Sequence, residues 1–369
     1  MFASRALLLL LYVFSFCSSP VTAVVPDSVA VRLTTSDLFQ IGDSTTGGGW
    51  STDQIDTIED WLEECVDILN AALTAYHSYS TSKAYRTMFS LWLSMMWDDN
   101  KIADFYDSYW GLIGTRLEGV ATFLSGGGLT GGSNDKPYLF CGDSFAQKQS
   151  WQATAIDGTG AEMVKERDEN GEPTSYYTIE EYRQEHCALP GEQAEGYVFD
   201  ASGKDRLCDK VNRVAATSRA DNNAGTEAGS PAGFTYATFY RHVYLCDVAF
   251  EASPGSPHGY ETLAEVVNSN NYPTVGADTN PAVLTSLSCT LYHELFHLTD
   301  AQGTASDGPA SGYYLAKEIM ILSWNSRLRA LLNAPEPYDF FSMGAYILQN
   351  NPSAAKPAVV FRPPGWIQA

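Results

Sequence analysis

The stretch Leu291-Tyr-His-Glu-Leu-Phe-His297 indicates both the fold and the chemistry of this chain. On a helix, residues four apart lie on one face, so His293 and His297 can reach one zinc ion while Glu294 lies beside the attacking water. This arrangement is typical of a zinc hydrolase. The chain has only 6 histidines in 369 residues, so the spacing is a specific signal. The alternative is an amphipathic helix with two incidental histidines.

The residues around the motif predict a helix with one apolar face. Asn280-Pro281 predicts its start, because a capping side chain is followed by proline at the first helical position. His293 and His297 lie about half a turn from the central leucines of an apolar stripe, so we expect them to face a cleft. The leucines of the stripe are Leu284, Leu287, Leu291, Leu295 and Leu298.

A hydrolytic zinc site takes three protein ligands and one water, so a third ligand is needed. Asp300 is nearest along the chain, but a helix would place it roughly 10 Å from the level of His293. Gly303 allows the chain to turn back, and Asp307 lies 10 residues beyond His297, with enough chain to return. The reach of the chain favours Asp307, and the alternatives are Asp300 or a distant glutamate.

The run from His293 to Asp307, with Gly303-Thr304 before the aspartate, resembles the signature of the aspzincins, the deuterolysin-like fungal secreted zinc endopeptidases. The resemblance implies that His293, His297 and Asp307 bind one Zn²⁺ ion and that Glu294 is the catalytic base. It also implies an α+β fold. We expect a mainly helical, zincin-like and disulfide-stabilised domain with a small antiparallel sheet beside the motif helix.

The chain departs from the family pattern beyond the histidines. Two residues separate Thr304 from Asp307 where the family has one, and Ser311 precedes a glycine where the family has a tyrosine. In the family that tyrosine helps to polarise the substrate carbonyl. We expect this catalytic role from Tyr313 first and Tyr314 second, with packing as the alternative for either. The departures also support another function, a catalytically impaired secreted binding protein or effector on the same fold.

A downstream segment, residues 333–341, resembles the acidic-x-Tyr-acidic segment by which lysine-specific members of the family hold a lysine on the primed side of the cut. By this resemblance Glu336 and Asp339 bind the substrate and together neutralise one ammonium group. The alternative is a solvated acidic turn between helices. The expected partners are therefore peptides or proteins, with a preference for lysine.

The first residues predict export. Residues 1–23 contain Arg5, an apolar run at 6–16 and a small-residue site ending at Ala23, which is typical of a secretory signal peptide. The apolar run is too short to span a membrane easily. The net charge of −22 disfavours nucleic acid and anionic membranes as partners. We expect a secreted, extracellular monomer.

The rest of the chain predicts one domain. Residues 24–49 are interpreted as an extension or a short propeptide, and residues 50–369 as a single zinc metallopeptidase domain. A polar, loop-rich insertion around 157–233 interrupts this domain, with a hairpin expected at 176–182.

Local patterns predict helices in the first third of the chain and strands further on. Ser51 is a capping residue, and three or four helices are expected between it and Leu124. The aromatic and β-branched runs at 137–141 and 239–250 predict strands.

Six cysteines remain after the signal peptide, and in an oxidising compartment they predict three disulfides with a structural role. Sequence alone allows fifteen pairings. Cys187 with Cys208 is the best single expectation, because this bond would close the polar middle of the chain. The six are Cys65, Cys141, Cys187, Cys208, Cys246 and Cys289.

Overall fold

A computed structural model describes residues 26–41, 50–129, 136–142, 150, 152–155, 161–186, 193–194, 197–198, 208, 214–218, 242–250, 260–269, 284–299, 319, 331–351, 360–362 and 366–368. In these ranges the protein is a mixture of helices and short strands. The helices are α1 Thr35–Leu38, α2 Thr52–Ser78, α3 Lys83–Leu93, α4 Asp107–Leu124, α5 Ile179–His186, α6 Leu263–Ser269, α7 Ser288–Thr299 and α8 Glu336–Asn350. The strands are β1 Gln40–Ile41, β2 Trp97–Asp98, β3 Lys101–Ile102, β4 Tyr138–Cys141, β5 Val164–Arg167, β6 Pro173–Tyr176, β7 Gln193–Ala194, β8 Tyr197–Val198, β9 Ala215–Ser218, β10 His242–Leu245, β11 Val360–Arg362 and β12 Trp366–Gln368.

The long helix α2 lies at the centre of the core. Its N-cap is Ser51, whose side chain accepts a hydrogen bond from the backbone of Gln54 while the Gln54 side chain accepts one from Ser51. This capping box confirms the predicted helix start. One side of α2 is buried and packs against α4, α7 and α8. The predicted helices of the first third are therefore confirmed as α2, α3 and α4.

Four strands form the largest described sheet, in the order β1-β4-β10-β9. The predicted strand at 137–141 is confirmed as β4. The predicted strand at 239–250 is confirmed only at 242–245, as β10, because residues 247–250 form a 3-10 helix. Strands β4 and β10 pair in parallel, with His242 opposite Tyr138. Strand β1 also pairs with β4 in parallel, and only β9 is antiparallel. The expected antiparallel sheet is therefore wrong, because about a hundred residues separate β4 from β10 and allow the crossover that parallel pairing requires.

Part of the predicted extension belongs to the folded core. Val29, Leu38 and Phe39 are buried, and the backbone N–H of Val29 donates to Asn70 of α2 at 2.7 Å. Strand β1 then joins the sheet. The predicted signal peptide, residues 1–23, lies outside the described residues.

Helix α7 carries the predicted motif and has the predicted apolar face. Leu284, Leu291, Leu295 and Leu298 are all fully buried, and Leu287 is partly buried. The helix packs against α2, α4 and α8, and against β9 of the sheet. The motif is thus held between the helical core and the sheet edge.

The predicted start of α7 at Asn280-Pro281 is wrong. The helix begins at Ser288, and residues 285–286 are not helical. The backbone N–H groups of Leu287 and Ser288 donate to the carbonyl oxygens of Tyr260 and Glu261. Because these donors bind another segment, they do not continue a helix from an earlier turn. Asn280 and Pro281 themselves lie outside the described residues.

A buried glutamate on α2 fixes the start of α7. Glu64 is 5% exposed, and its carboxylate accepts hydrogen bonds from the backbone of Leu263 and Ala264, at 2.9 and 3.0 Å. The same carboxylate accepts the hydroxyl of Ser288, the first residue of α7. Glu64 therefore ties α2 to the first residues of both α6 and α7.

The expected hairpin at 176–182 is wrong in position. Strands β5 and β6 form a hairpin between Val164 and Tyr176, and residues from Ile179 onward form α5. Asp168 organises the turn, because its carboxylate accepts the backbone N–H groups of Asn170 and Glu172. The turn passes through Asn170-Gly171, and glycine accommodates the positive φ of 86° at position 171.

The disulfide pairing also differs from the expected one. Cys208 bonds to Cys246, with 5.4 Å between their Cα atoms. The backbone N–H of Cys246 donates to Val214, which brings the segment after Cys208 beside the end of β10. The Cys187–Cys208 pairing is therefore wrong, and Cys187 lies outside the described residues. The prediction of three disulfides is wrong as well, because three buried cysteines are free: Cys65, Cys141 and Cys289.

The buried position of Glu64 predicts a pH-dependent contribution to stability. Burial raises the pKa of its carboxyl above the ordinary value of 4.5, although the hydrogen bonds from Ser288, Ala264 and Leu263 lower it. The folded chain then binds a proton at Glu64 more readily than the unfolded chain. This contribution is fully present below pH 4.5 and is lost as the pH rises through the raised pKa.

We therefore expect the melting temperature of the wild type, relative to Glu64→Gln, to increase as the pH falls from neutral towards 4.5. Glu63→Gln is the matched control, because it removes a neighbouring carboxylate that is 62% exposed. This control measures how far the loss of an exposed carboxylate from the same helix changes the melting temperature over that range. Thermal unfolding followed by circular dichroism measures both, and a wild-type advantage that shrinks towards acid pH would contradict the account of Glu64.

Candidate metal centre

The two motif imidazoles lie side by side on α7. The ring centroids of His293 and His297 are 4.9 Å apart, with 67° between the ring planes. Two imidazoles that bind one zinc ion through nitrogens at about 2.1 Å have their centroids about 5 Å apart. His297 is 6% exposed, and the His293 side chain is 19% exposed. The observed spacing therefore fits two nitrogen ligands of one ion.

A carboxylate on α8 orients the first imidazole. Nδ1 of His293 lies 2.8 Å from Oδ2 of Asp339, whose side chain is 12% exposed. Because a carboxylate accepts, Nδ1 is the donor, and the lone pair of the ring remains on Nε2. A histidine that binds a metal almost always donates its other ring nitrogen to such a partner. Asp339 thus sets the tautomer that a metal ligand needs.

The pKa of Asp339 depends on all three ionisable residues of the motif, His293, Glu294 and His297. Burial raises the pKa of its carboxyl, the charges of His293 and His297 lower it, and Glu294 raises it further, so the net direction is upward. The second oxygen, Oδ1, is buried and has no hydrogen-bond partner among the described residues. A carboxylate this close to two imidazoles and a second carboxylate is typical of a functional site.

A residue of the sheet donates a hydrogen bond to the motif glutamate. Glu294 is 6% exposed, and its Oε2 accepts the hydroxyl of Thr217 at 2.6 Å. Thr217 lies in β9, the edge strand next to α7. No pattern in the sequence predicts Thr217 as a site residue, because it lies in the polar insertion and belongs to no local pattern. Only the long-range pairing of β9 with β10 places it at the motif.

The structure places both predicted lysine-binding residues on α8. Glu336 is the first residue of this helix and is 5% exposed, and Asp339 follows one turn later. The segment is therefore a buried helix start and not a solvated turn. The contact of Asp339 with His293 gives this residue a role that no pattern in the sequence predicts. Its role in lysine binding, and that of Glu336, stay predictions.

The remaining predicted site residues lie outside the described part of the chain. They are Asp307, the predicted third ligand, Tyr313 and Tyr314, and the alternative ligand Asp300. Among the described residues, no group of three histidine, cysteine or acidic side chains is placed to hold a metal. The described residues thus bring together two imidazoles, the motif glutamate and Asp339, and Asp307 stays a prediction.

No family model matches the sequence, and no curated protein sequence or solved structure is significantly similar to it. In the ranges that the structure describes, no helix is both long enough and apolar enough to cross a membrane.

The bond between Asp339 and His293 predicts an effect on metal affinity. We expect Asp339→Asn to weaken zinc binding about 10- to 100-fold, because the neutral amide supports the imidazole less strongly. Glu336→Gln is the matched control, with the same charge change one turn earlier, and should bind zinc within about threefold of the wild type. Competition with a chelating dye measures the dissociation constants. Equal zinc affinity in Asp339→Asn and the wild type would contradict the orienting role.

Proposed function

We propose that the protein is a secreted zinc-dependent endopeptidase. The observation that carries the proposal is the placement of His293 and His297 at ligand spacing, with Asp339 on the Nδ1 atom of His293. An incidental pair of histidines on an amphipathic helix would not require a buried carboxylate partner. The residues that would hold the ion are these two histidines and, as a prediction, Asp307.

The chain supplies a base beside the proposed metal ligands. When bound, the ion would supply Lewis-acid polarisation of the substrate carbonyl and of the attacking water. Glu294 accepts a proton from that water and returns it to the nitrogen of the leaving amine, so the proton count balances over one cleavage. Asp339 keeps His293 in one tautomer and one orientation throughout. Tyr313 or Tyr314 would donate a hydrogen bond to the developing oxyanion.

The sheet edge next to the motif supports a peptide substrate. Strand β9 is the edge of the described four-stranded sheet, and it packs against α7. An extended peptide can add a strand to such an edge through main-chain hydrogen bonds. The antiparallel edge strand beside the motif helix also supports a zincin-like arrangement of the single domain.

Charge supports a cationic substrate residue. The chain carries a net charge of −22, which attracts cationic peptides. Glu336 and Asp339 lie one turn apart on α8, and we propose that they bind a lysine on the primed side of the cut. A cleavage profile over a peptide library tests this specificity, and a profile without enrichment of lysine beside the cut would contradict it.

Two observations support export of the protein. The signal-peptide pattern of residues 1–23 predicts secretion, and the disulfide between Cys208 and Cys246 suits an oxidising compartment.

The main competing function is a secreted binding protein that has lost catalysis, which the altered spacing between Thr304 and Asp307 favours. Hydrolysis of casein that a chelator abolishes and added zinc restores would exclude this competing function.

Replacement of Glu294 tests its assignment as the catalytic base. We expect Glu294→Gln to lower kcat at least about 10³-fold, because the amide cannot accept the proton, while one zinc ion per chain stays bound. Glu63→Gln, an exposed glutamate on α2, is the control and should keep wild-type activity. Turnover of a fluorogenic peptide and metal analysis of the same samples provide the measurements. Full activity in Glu294→Gln would contradict the assignment of the base.

A further inference from the structure

The strand next to the motif helix provides a side chain that holds the motif glutamate. The hydroxyl of Thr217 donates to Oε2 of Glu294 at 2.6 Å and lies 3.3 Å from the backbone oxygen of the same residue. The shorter contact is the stronger hydrogen bond, because the hydroxyl has one proton and the carboxylate oxygen is the more basic acceptor.

The backbone around Thr217 is fixed independently of the motif. Thr217 lies opposite Val243 in the antiparallel pair of β9 and β10, and Val243 is fully buried in the core. The hydroxyl is therefore presented to α7 by the sheet, on a threonine whose branched side chain has few rotamers. A glutamate has three side-chain torsions, so a rigid partner removes freedom that the carboxylate would otherwise keep.

From this geometry we propose that Thr217 is a positioning residue for the base of the reaction, an inference that rests on the proposed peptidase function. Thr217 binds one oxygen of Glu294, Oε2. The other oxygen, Oε1, has no hydrogen bond among the described residues and is the atom that accepts the proton of water. The edge strand thus sets which carboxylate oxygen reacts and where it lies.

The hydroxyl of Thr217, and not the bulk of its side chain, positions Glu294 in this proposal. Thr217→Val keeps the shape and the β-branch but removes the donor, whereas Thr217→Ser keeps the donor and removes a methyl group. We expect Thr217→Val to lower kcat by about 10- to 100-fold, because a misplaced catalytic group costs on the order of 100-fold. The Michaelis constant should change less than about twofold, because Thr217 acts on the base and not on substrate binding.

The experiment compares wild type, Thr217→Val, Thr217→Ser and the control Thr115→Val, an exposed threonine on α4. The measurements are kcat and KM on a fluorogenic peptide, zinc per chain, and the crystal structure of Thr217→Val. We expect a loss of kcat in Thr217→Val alone, and a kcat within about threefold of the wild type in Thr217→Ser. Thr217→Val should keep its zinc content, and its crystal structure should show a changed Glu294 rotamer.

Three results on activity or on the position of Glu294 would overturn the inference about Thr217, and a fourth concerns zinc. They are wild-type kcat in Thr217→Val, an equal loss in Thr217→Ser, and a Glu294 side chain that keeps its position in the crystal structure of Thr217→Val. Loss of zinc in Thr217→Val would also overturn it, because Thr217 would then be needed for the metal site as a whole. A wild-type protein that binds zinc but cleaves no peptide would instead overturn the proposed function. The two failures are thus distinguishable.

Discussion

Three carboxylates, two buried and one 12% exposed, hold α7 in place, and the candidate metal centre depends on this constraint. Glu64 on α2 binds the first residue of the helix, and Asp339 on α8 binds its first motif imidazole. Glu294, on α7 itself, is bound by Thr217 of the edge strand. Because the partners come from two helices and from the sheet, they restrict both the rotation and the axial position of α7. The orientation of the imidazoles follows from that position.

Burial of these carboxylates is unfavourable unless donors compensate it, since the desolvation of a buried ion costs several kcal/mol. Glu64 is compensated by three donors, two from the backbone and one from a serine hydroxyl. Asp339 has one described donor, His293, and its Oδ1 atom has no partner in the described ranges. Burial raises the pKa of both groups. The less compensated carboxylate lies at the motif, which is typical of functional sites.

Local patterns in the sequence predicted the elements but not the contacts between them. The Ser51 cap, the helices of the first third, the strands β4 and β10 and the leucine face of α7 follow from spacing within a few residues, so each was predictable. The contacts at the site join residues that are far apart in the chain. Thr217 lies 77 residues from Glu294, and Glu64 lies 224 residues from Ser288. No periodic pattern encodes a pairing over that distance.

The predictions that the structure contradicts also depend on contacts between distant segments of the chain. The sequence predicts a start of α7 at a proline because the backbone hydrogen bonds of residues 287–288 to residues 260–261 have no signature in the sequence. No pattern predicts the pairing of Cys246 with Cys208, because their proximity depends on β10 and the segment before β9. Asp339 was predicted as a site residue, but its bond to His293 depends on the packing of α8 against α7.

In the proposed metal centre, Asp339 accepts a hydrogen bond from Nδ1 of His293, and Nε2 is the atom that would bind a zinc ion together with His297. Anomalous diffraction from crystals grown with zinc, recorded on both sides of the zinc absorption edge, tests this arrangement. We expect one zinc ion within about 2.1 Å of Nε2 of both histidines, with the hydrogen bond from Nδ1 of His293 to Asp339 intact. Zinc bound through Nδ1 of His293, or no zinc at α7, would contradict it.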